Sequence, residues 1–267
     1  MDQLVALFRV LIFGPFLVLA FLAGTFVFWK KGSEEYYDQS ALLDAVILSA
    51  FWGLVGARLG FVLAHFPDFG LDIFRWFSLF AYPGYVGMAG ILGGLLSLIV
   101  SARRKKWNVY ETIDFAAVGL SVSLVFIQIG MFLNGSGFGN PTTLPFGMSF
   151  PGVFDKRHPV QLYAAVLYIA LFITLWKLES IYRTFLWYRS NKRTAQPGFL
   201  LSCFLIGYGV IGVVLAFFQP SFVKIDGIHV EGILRGLIAV AGGIFLYTRS
   251  GHTLFVFKKK NSSLHAS

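Results

Sequence analysis

The chain has 267 residues, 57% of them hydrophobic and only 13% charged, with a mean hydropathy of +0.72. That leaves too little polar surface to coat a water-soluble globule of this length. The net charge of +9 is split among separate short stretches between apolar runs, the pattern of loops beside anionic lipid and not of a nucleic-acid-binding surface.

The first apolar run, Leu4 to Trp29, is too long for a secretory leader, has no basic cluster before it and is followed by Lys30 and Lys31, so it reads as a retained span. The second span, Ala41 to Phe66, carries Arg58 and His65 toward its outer end. Pro67 to Tyr82 alternates acidic, basic and aromatic residues and is too polar to cross, which predicts an amphipathic helix in the outer interface. A third span, Gly84 to Ala102, repeats Gly84, Gly87, Gly90 and Gly94 at three- and four-residue steps, predicting a face that packs closely on another helix. The fourth, Ile113 to Leu133, leads into a loop, Asn134 to His158, whose glycines and prolines indicate a structured turn assembly. Such backbone is tolerated at membrane depth only where protein or water satisfies it. Val160 to Leu178, Phe199 to Phe218 and Glu231 to Thr248 complete the set, each near the ~20 residues a bilayer core requires. The sole cysteine, Cys203, reads as a small packing residue of the sixth span and rules out an internal disulfide.

Basic residues gather at alternate junctions: Lys30 and Lys31, then Arg103 to Lys106, then Lys177 with Arg183, Arg189, Lys192 and Arg193, then Arg249 with Lys258 to Lys260. The opposite loops hold Arg75, Lys156, Arg157 and Lys224, while Arg9, Arg58 and Arg235 fall inside spans or near their ends. The positive-inside rule then puts the N-terminus outside and the C-terminus, with a basic tail from about 249 to 267, in the cytoplasm. Without linkers or internal repeats, the expectation is one all-α domain over residues 1–267, a polytopic membrane helical bundle of about seven transmembrane helices. No metal or cofactor is expected.

From Asn134 the loop reads NGSGFGNPTTLPFGMSFPGVFDKRHPVQLYAA. Its pattern NG-x-x-x-G-x-PT-x-LP-x-G-x-x-FP, followed by RHP-x-QLY, resembles the central signature of the bacterial prolipoprotein diacylglyceryl transferases. GARLGFVL at Gly56 to Leu63, the glycine-rich third span, Tyr208-Gly209 and FFQP at Phe217 to Pro220 are similar to further family segments. The resemblance implies the bacterial cytoplasmic membrane and a reaction that moves diacylglycerol from phosphatidylglycerol to a lipobox cysteine thiol, releasing glycerol phosphate. That chemistry needs a group to form thiolate and cations or donors to stabilise the departing phosphate.

The chain departs from the family's pattern at the polar positions. R-x-G-N-F-x-N-G-E is matched by Gln128 to Ser136, so Gln128, Met131 and Ser136 replace an arginine, an asparagine and a glutamate, while Asn134 and Gly135 remain. Met88 stands for a histidine and Phe13 for a tyrosine. In YG-x-x-R-x-x-x-E-F-x-R, Gly212, Ala216 and Gln219 replace both arginines and the glutamate. The apolar cores of the fourth and sixth spans contain no Arg, Lys or His that a one-residue slip would bring into register. Losing several transition-state donors, at a few kcal/mol each, predicts a transferase reaction lost or slowed by orders of magnitude.

Among the residues left, Arg58 fits a lipid phosphate or, equally, the carbonyls of a neighbouring segment. His65, seven residues on along the same face, fits the same site or a plain interfacial position. Lys156, Arg157 and His158, with Gln161 and Tyr163, form a cluster suited to an anionic headgroup or to tying the loop to a helix that begins at Pro159. Asn134 with Gly135, Gly137 and Gly139 fits either phosphate-binding backbone donors or tight turns. Three function classes follow: a transferase with an altered constellation, a catalytically silent protein that binds phospholipid or a signal-peptide-like helix, and a transporter, which lacks a buried acidic relay or broken-helix pair.

Overall fold

The computed structural model describes residues 2–78, 82, 84–182, 196–220, 224–225 and 228–249. Side chains are described within those ranges from residue 12 onward, apart from Met88, Tyr182 and residues 224–231. Arg183, Arg189, Lys192, Arg193 and the basic tail with Lys258 to Lys260 therefore lie outside the described residues, as do the side chains of Arg9 and Lys224.

The elements in chain order are α1 (Asp2–Glu34), α2 (Gln39–Ala64), α3 (Phe66–Phe69), α4 (Ile73–Phe77), α5 (Gly87–Arg104), α6 (Val109–Leu133), α7 (Val160–Tyr182), α8 (Phe199–Ala216), β1 (Lys224–Ile225), β2 (Ile228–His229) and α9 (Val230–Arg249). The two short strands pair antiparallel. Among the described residues six helices are long and apolar enough to cross a membrane: α1 from Ile12, α2, α6, α7, α8 and α9 from Gly232. The remaining expected span is α5, whose 18 residues cover about 27 Å and run along α2. The chain is a polytopic helical membrane bundle.

Helix ends are set by local chemistry. The Asp38 carboxylate accepts from the Ala41 N–H (2.8 Å) at the start of α2, and the Asn108 side chain accepts from the Tyr110 and Glu111 N–H groups at the start of α6. The cap of α8 comes from another helix: Asp114 of α6, buried, accepts from the N–H groups of Gly198 and Leu201, both at 2.7 Å. The expected amphipathic helix from Pro67 to Tyr82 is instead two short helical segments, α3 and α4, broken at Gly70, whose φ of +55° suits glycine. The segment still presents apolar side chains outward, with Phe74 91% exposed and Leu71 and Phe77 also bare.

α6, α7 and α8 pack on one another, α1 lies on α6, α9 lies on α8, and α2 with α5 forms a flanking pair. One apolar cluster joins Val27, Val118, Val125, Ala164, Leu171, Leu175, Phe204 and Leu215; a second joins Phe28, Leu42, Ala45, Leu98 and Phe115. The α2–α5 contact is made by glycines: a Cβ on Gly93 would stand 2.6 Å from the Trp52 carbonyl oxygen, and one on Gly90 3.1 Å from that of Gly53. Of the expected glycine stripe, Gly90 and Gly94 face α2, Gly84 lies under the Phe61 ring and Gly87 meets nothing, while Gly93 takes the closest approach. Gly87 lies only about 20° round the helix from Gly94 at 100° per residue, so its lack of contact follows from its place as the first residue of α5 and not from its face.

Candidate functional site

The loop from Asn134 to His158 is a hydrogen-bonded plug over one end of α6, α7 and α8. α6 closes with the N–H groups of Asn134, Gly135 and Ser136 donating back to the carbonyls of Gly130, Phe132 and Met131, a turn completed by Gly135 at φ +70°. The chain then crosses itself: Gly139 N–H donates to the His158 carbonyl (2.8 Å) and His158 N–H to the Asn140 carbonyl (3.1 Å). Arg157 and Met148 exchange both backbone bonds, and Thr142 N–H reaches the Lys156 carbonyl. The loop is fastened to the end of α8, where Asn140 donates from its backbone to the Phe218 carbonyl (2.8 Å) and from Nδ2 to that of Gln219 (3.3 Å). Gly139 allows this crossing, since a Cβ there would stand 2.4 Å from the Phe218 carbonyl oxygen.

Within that frame Gln161, 1% exposed, donates from Nε2 to the Ser136 carbonyl (2.7 Å), binding the start of α7 to the loop. Asn134 Oδ1, Gln161 Oε1 and Arg157 Nε are buried and, among the described residues, without a partner. His158 Nδ1 lies 3.4 Å from the Tyr163 hydroxyl, and both rings sit against Phe146 and Phe218. Arg157 lies over the Phe138 ring at 5.6 Å, whereas Lys156 points to the exterior. The three basic residues thus diverge: one is exposed, one stacks on an aromatic ring and one enters an aromatic cluster.

Arg58 stands elsewhere. It is 8% exposed, and its guanidinium donates from Nε to the Trp76 carbonyl (2.8 Å), from Nη1 to those of Tyr82 (2.7 Å) and Gly84 (3.1 Å), and from Nη2 to those of Arg75 (3.4 Å) and Ser78 (3.3 Å). These partners all lie in the segment after α2, so Arg58 is the post around which α4 and the approach to α5 are wound. His65 is exposed, stacks on Phe61 at 4.3 Å and bonds the Phe61 carbonyl, with no bond to Arg58. Among the described residues Arg58 shares no partner with Asn134 or His158, whose contacts run within the loop and to α6, α7 and the end of α8.

At the positions where the resemblance would place polar groups, apolar contacts are found. The Phe13 and Phe16 side chains press on Gly130, where a Cβ would stand 3.2 and 2.7 Å from them. The Met131 methyl reaches to within 2.6 Å of a Cβ on Gly137, underneath the loop. Gln128 is half-buried on α6, and the Met88 side chain lies outside the described set. Gly212 differs: Arg235 of α9 lies directly across it, donating from Nη1 to the Gly212 carbonyl (3.2 Å) and to Gln219 Oε1 (3.3 Å). In the sequence Arg235 reads as a residue inside or near a span end and Gln219 only as a neutral replacement for an arginine, and nothing there singles out Asn140. The available signal was a glycine in an arginine's place together with an unassigned arginine one span later.

With this geometry in view, the family model described as prolipoprotein diacylglyceryl transferase matches residues 3–249. The chain is 26% identical over 245 residues to the phosphatidylglycerol-prolipoprotein diacylglyceryl transferase 2 of Clostridium perfringens, covering 88% of this chain and 89% of that one. It is 32% identical over 221 residues to the phosphatidylglycerol-prolipoprotein diacylglyceryl transferase of Wolbachia pipientis, covering 76% and 77%. Against the protein of that name from Bordetella bronchiseptica, identity is 30% over 221 residues, covering 78% of each.

Proposed function

Since the chain belongs to the prolipoprotein diacylglyceryl transferase family, we propose that it keeps the family's phospholipid-handling fold in the bacterial cytoplasmic membrane while its own transfer of diacylglycerol to a cysteine thiol is lost or severely weakened. In this reading the N-terminus is outside, the C-terminus is cytoplasmic, and the Asn134–His158 loop faces the outer leaflet. Its partners are a phosphatidylglycerol-like lipid and the signal-peptide helix of a lipoprotein precursor. Exposed Lys156 is the residue of the basic trio that meets the headgroup at the loop surface, with Arg157, His158, Asn134, Gly139, Gln161 and Tyr163 shaping that mouth and Arg58 with His65 holding the neighbouring outer segment.

The observation that carries the reading is the contrast between an intact loop and an apolar lining. The loop keeps an ordered set of backbone hydrogen bonds, yet Phe13 and Met131, which stand for a tyrosine and an asparagine of the resembled pattern, pack against Gly130 and beneath Gly137. Each preorganised donor removed from such a site costs about 10²–10³ in rate, so several losses together leave little turnover. Purified protein in phosphatidylglycerol vesicles, given a lipobox peptide, is expected to transfer diacylglycerol more than about a thousandfold more slowly than an intact family member. Robust turnover would refute the loss. Arg235 favours a second reading, an active but divergent transferase, because it returns one cation to the crossing of α8 and α9; the same assay decides between them.

A further inference from the structure

Arg235 sits five residues into α9, about 7.5 Å from its start by the helical rise. α9 begins on the side of the bundle where α8 ends, the side that carries the loop. The arginine side chain and Gly212 are mutually dependent, since a Cβ on Gly212 would stand 2.3 Å from Arg235 Cδ and 2.9 Å from Cγ. No residue other than glycine fits at 212 while Arg235 keeps this pose. In the resembled pattern YG-x-x-R, position 212 carries arginine, so the guanidinium has changed helices while staying at one crossing.

Among the described residues its two bonds are long and go to neutral acceptors, and no described carboxylate pairs with it. A half-buried guanidinium near the end of a span lies within reach of lipid headgroups, and its planar fork matches two oxygens of one phosphate. Gln219, which accepts from Arg235 through Oε1, also accepts from Asn140 Nδ2 through its carbonyl, so the guanidinium is linked to the loop through Gln219. We infer that Arg235, oriented by Gln219, is the anion-binding residue at the α8–α9 crossing, holding from within the bundle the glycerol-linked phosphate of a lipid that enters from the outer leaflet past the loop. This rests on the phospholipid-binding reading above and gives it a residue of its own. Gly212 is the vacancy that lets α9 supply the charge.

The test uses the full chain in detergent micelles, with thermal stabilisation measured against added phosphatidylglycerol, phosphatidylcholine or soluble glycerol phosphate. Wild type is expected to respond to phosphatidylglycerol and not to phosphatidylcholine; no response at all would overturn both this inference and the reading beneath it. Arg235→Gln, which keeps a donor for the Gly212 carbonyl but removes the charge, is expected to weaken the response by about tenfold or more. The double variant Gly212→Arg with Arg235→Ala, which moves the guanidinium to α8, is expected to recover it to within a few fold. An unchanged response in Arg235→Gln, with wild type still responding, would overturn the site alone. An equal, Arg235-dependent response to glycerol phosphate would assign the site to the headgroup without its chains, and a response confined to phosphatidylglycerol would assign it to the whole lipid.

Discussion

Arg58 shows how far one residue's chemistry can be read before its neighbours are known. A lone arginine inside an apolar span must meet acceptors, but sequence leaves open whether these are phosphate oxygens or carbonyls. The fold supplies five carbonyls spread over Arg75 to Gly84, arranged so that Nε, Nη1 and Nη2 are all engaged. A lysine ammonium presents donors from a single point and cannot span that set. Arg58→Lys is therefore expected to cost about 2–3 kcal/mol, in line with hydrogen bonds to a charged group, and to expose the segment between α2 and α5 to protease. Unchanged melting and proteolysis would remove Arg58 from this role. Gly212 makes the complementary point, because a glycine carries no chemistry of its own and becomes informative only when Arg235 is seen across it.

Between elements, the buried cation Lys31 is the clearest case of a contact invisible along the chain. Two adjacent lysines after an apolar run read as solvated juxtamembrane charge, and Lys30, half-buried with its Nζ 5.1 Å from the Trp176 ring centroid, fits that description only in part. Lys31 does not: at 4% exposure it pairs with Glu179 of α7, itself 5% exposed, with Glu34 at 3.0 Å and the Trp176 ring at 4.0 Å. Removing one partner of a buried pair leaves an uncompensated charge, so Glu179→Ala is expected to cost up to about 3–5 kcal/mol, less whatever Glu34 still offsets. Glu34 is half-exposed, and Glu34→Ala is expected to cost no more than about 1 kcal/mol. Thermal melting of the two variants checks the ordering, and equal losses would contradict it. Helix positions were legible here to within a few residues because apolar length is a local property. A start moved where a polar residue capped the helix, since α6 begins at Val109 and not Ile113 because Asn108 receives the first N–H groups; α8 starts at the expected Phe199, on a cap lent by Asp114.

At the scale of the molecule, the alternation of basic junctions is the property that sets how the bundle sits in its membrane. Moving any one loop across would carry several lysines and arginines to the disfavoured side, so the orientation is expected to be unique. A fluorescent protein fused after Ser267 is expected to mature in the cytoplasm, and alkaline phosphatase fused at the same point to stay inactive; the opposite pair of results would invert the topology and remove the lipid assignment of the Asn134–His158 loop. The spans, the irregular loop and the family resemblance could all be read from the chain because bilayer partitioning and turn chemistry depend on residues close together in sequence. Only the tertiary structure decided that Arg58 is consumed by backbone, that Lys31 is paired across more than a hundred residues, and that Arg235 lies over Gly212. Each of those outcomes depends on which helix faces come together, and a charge in an apolar medium is governed by the nearest opposite or polar atom in space, whatever its distance along the chain.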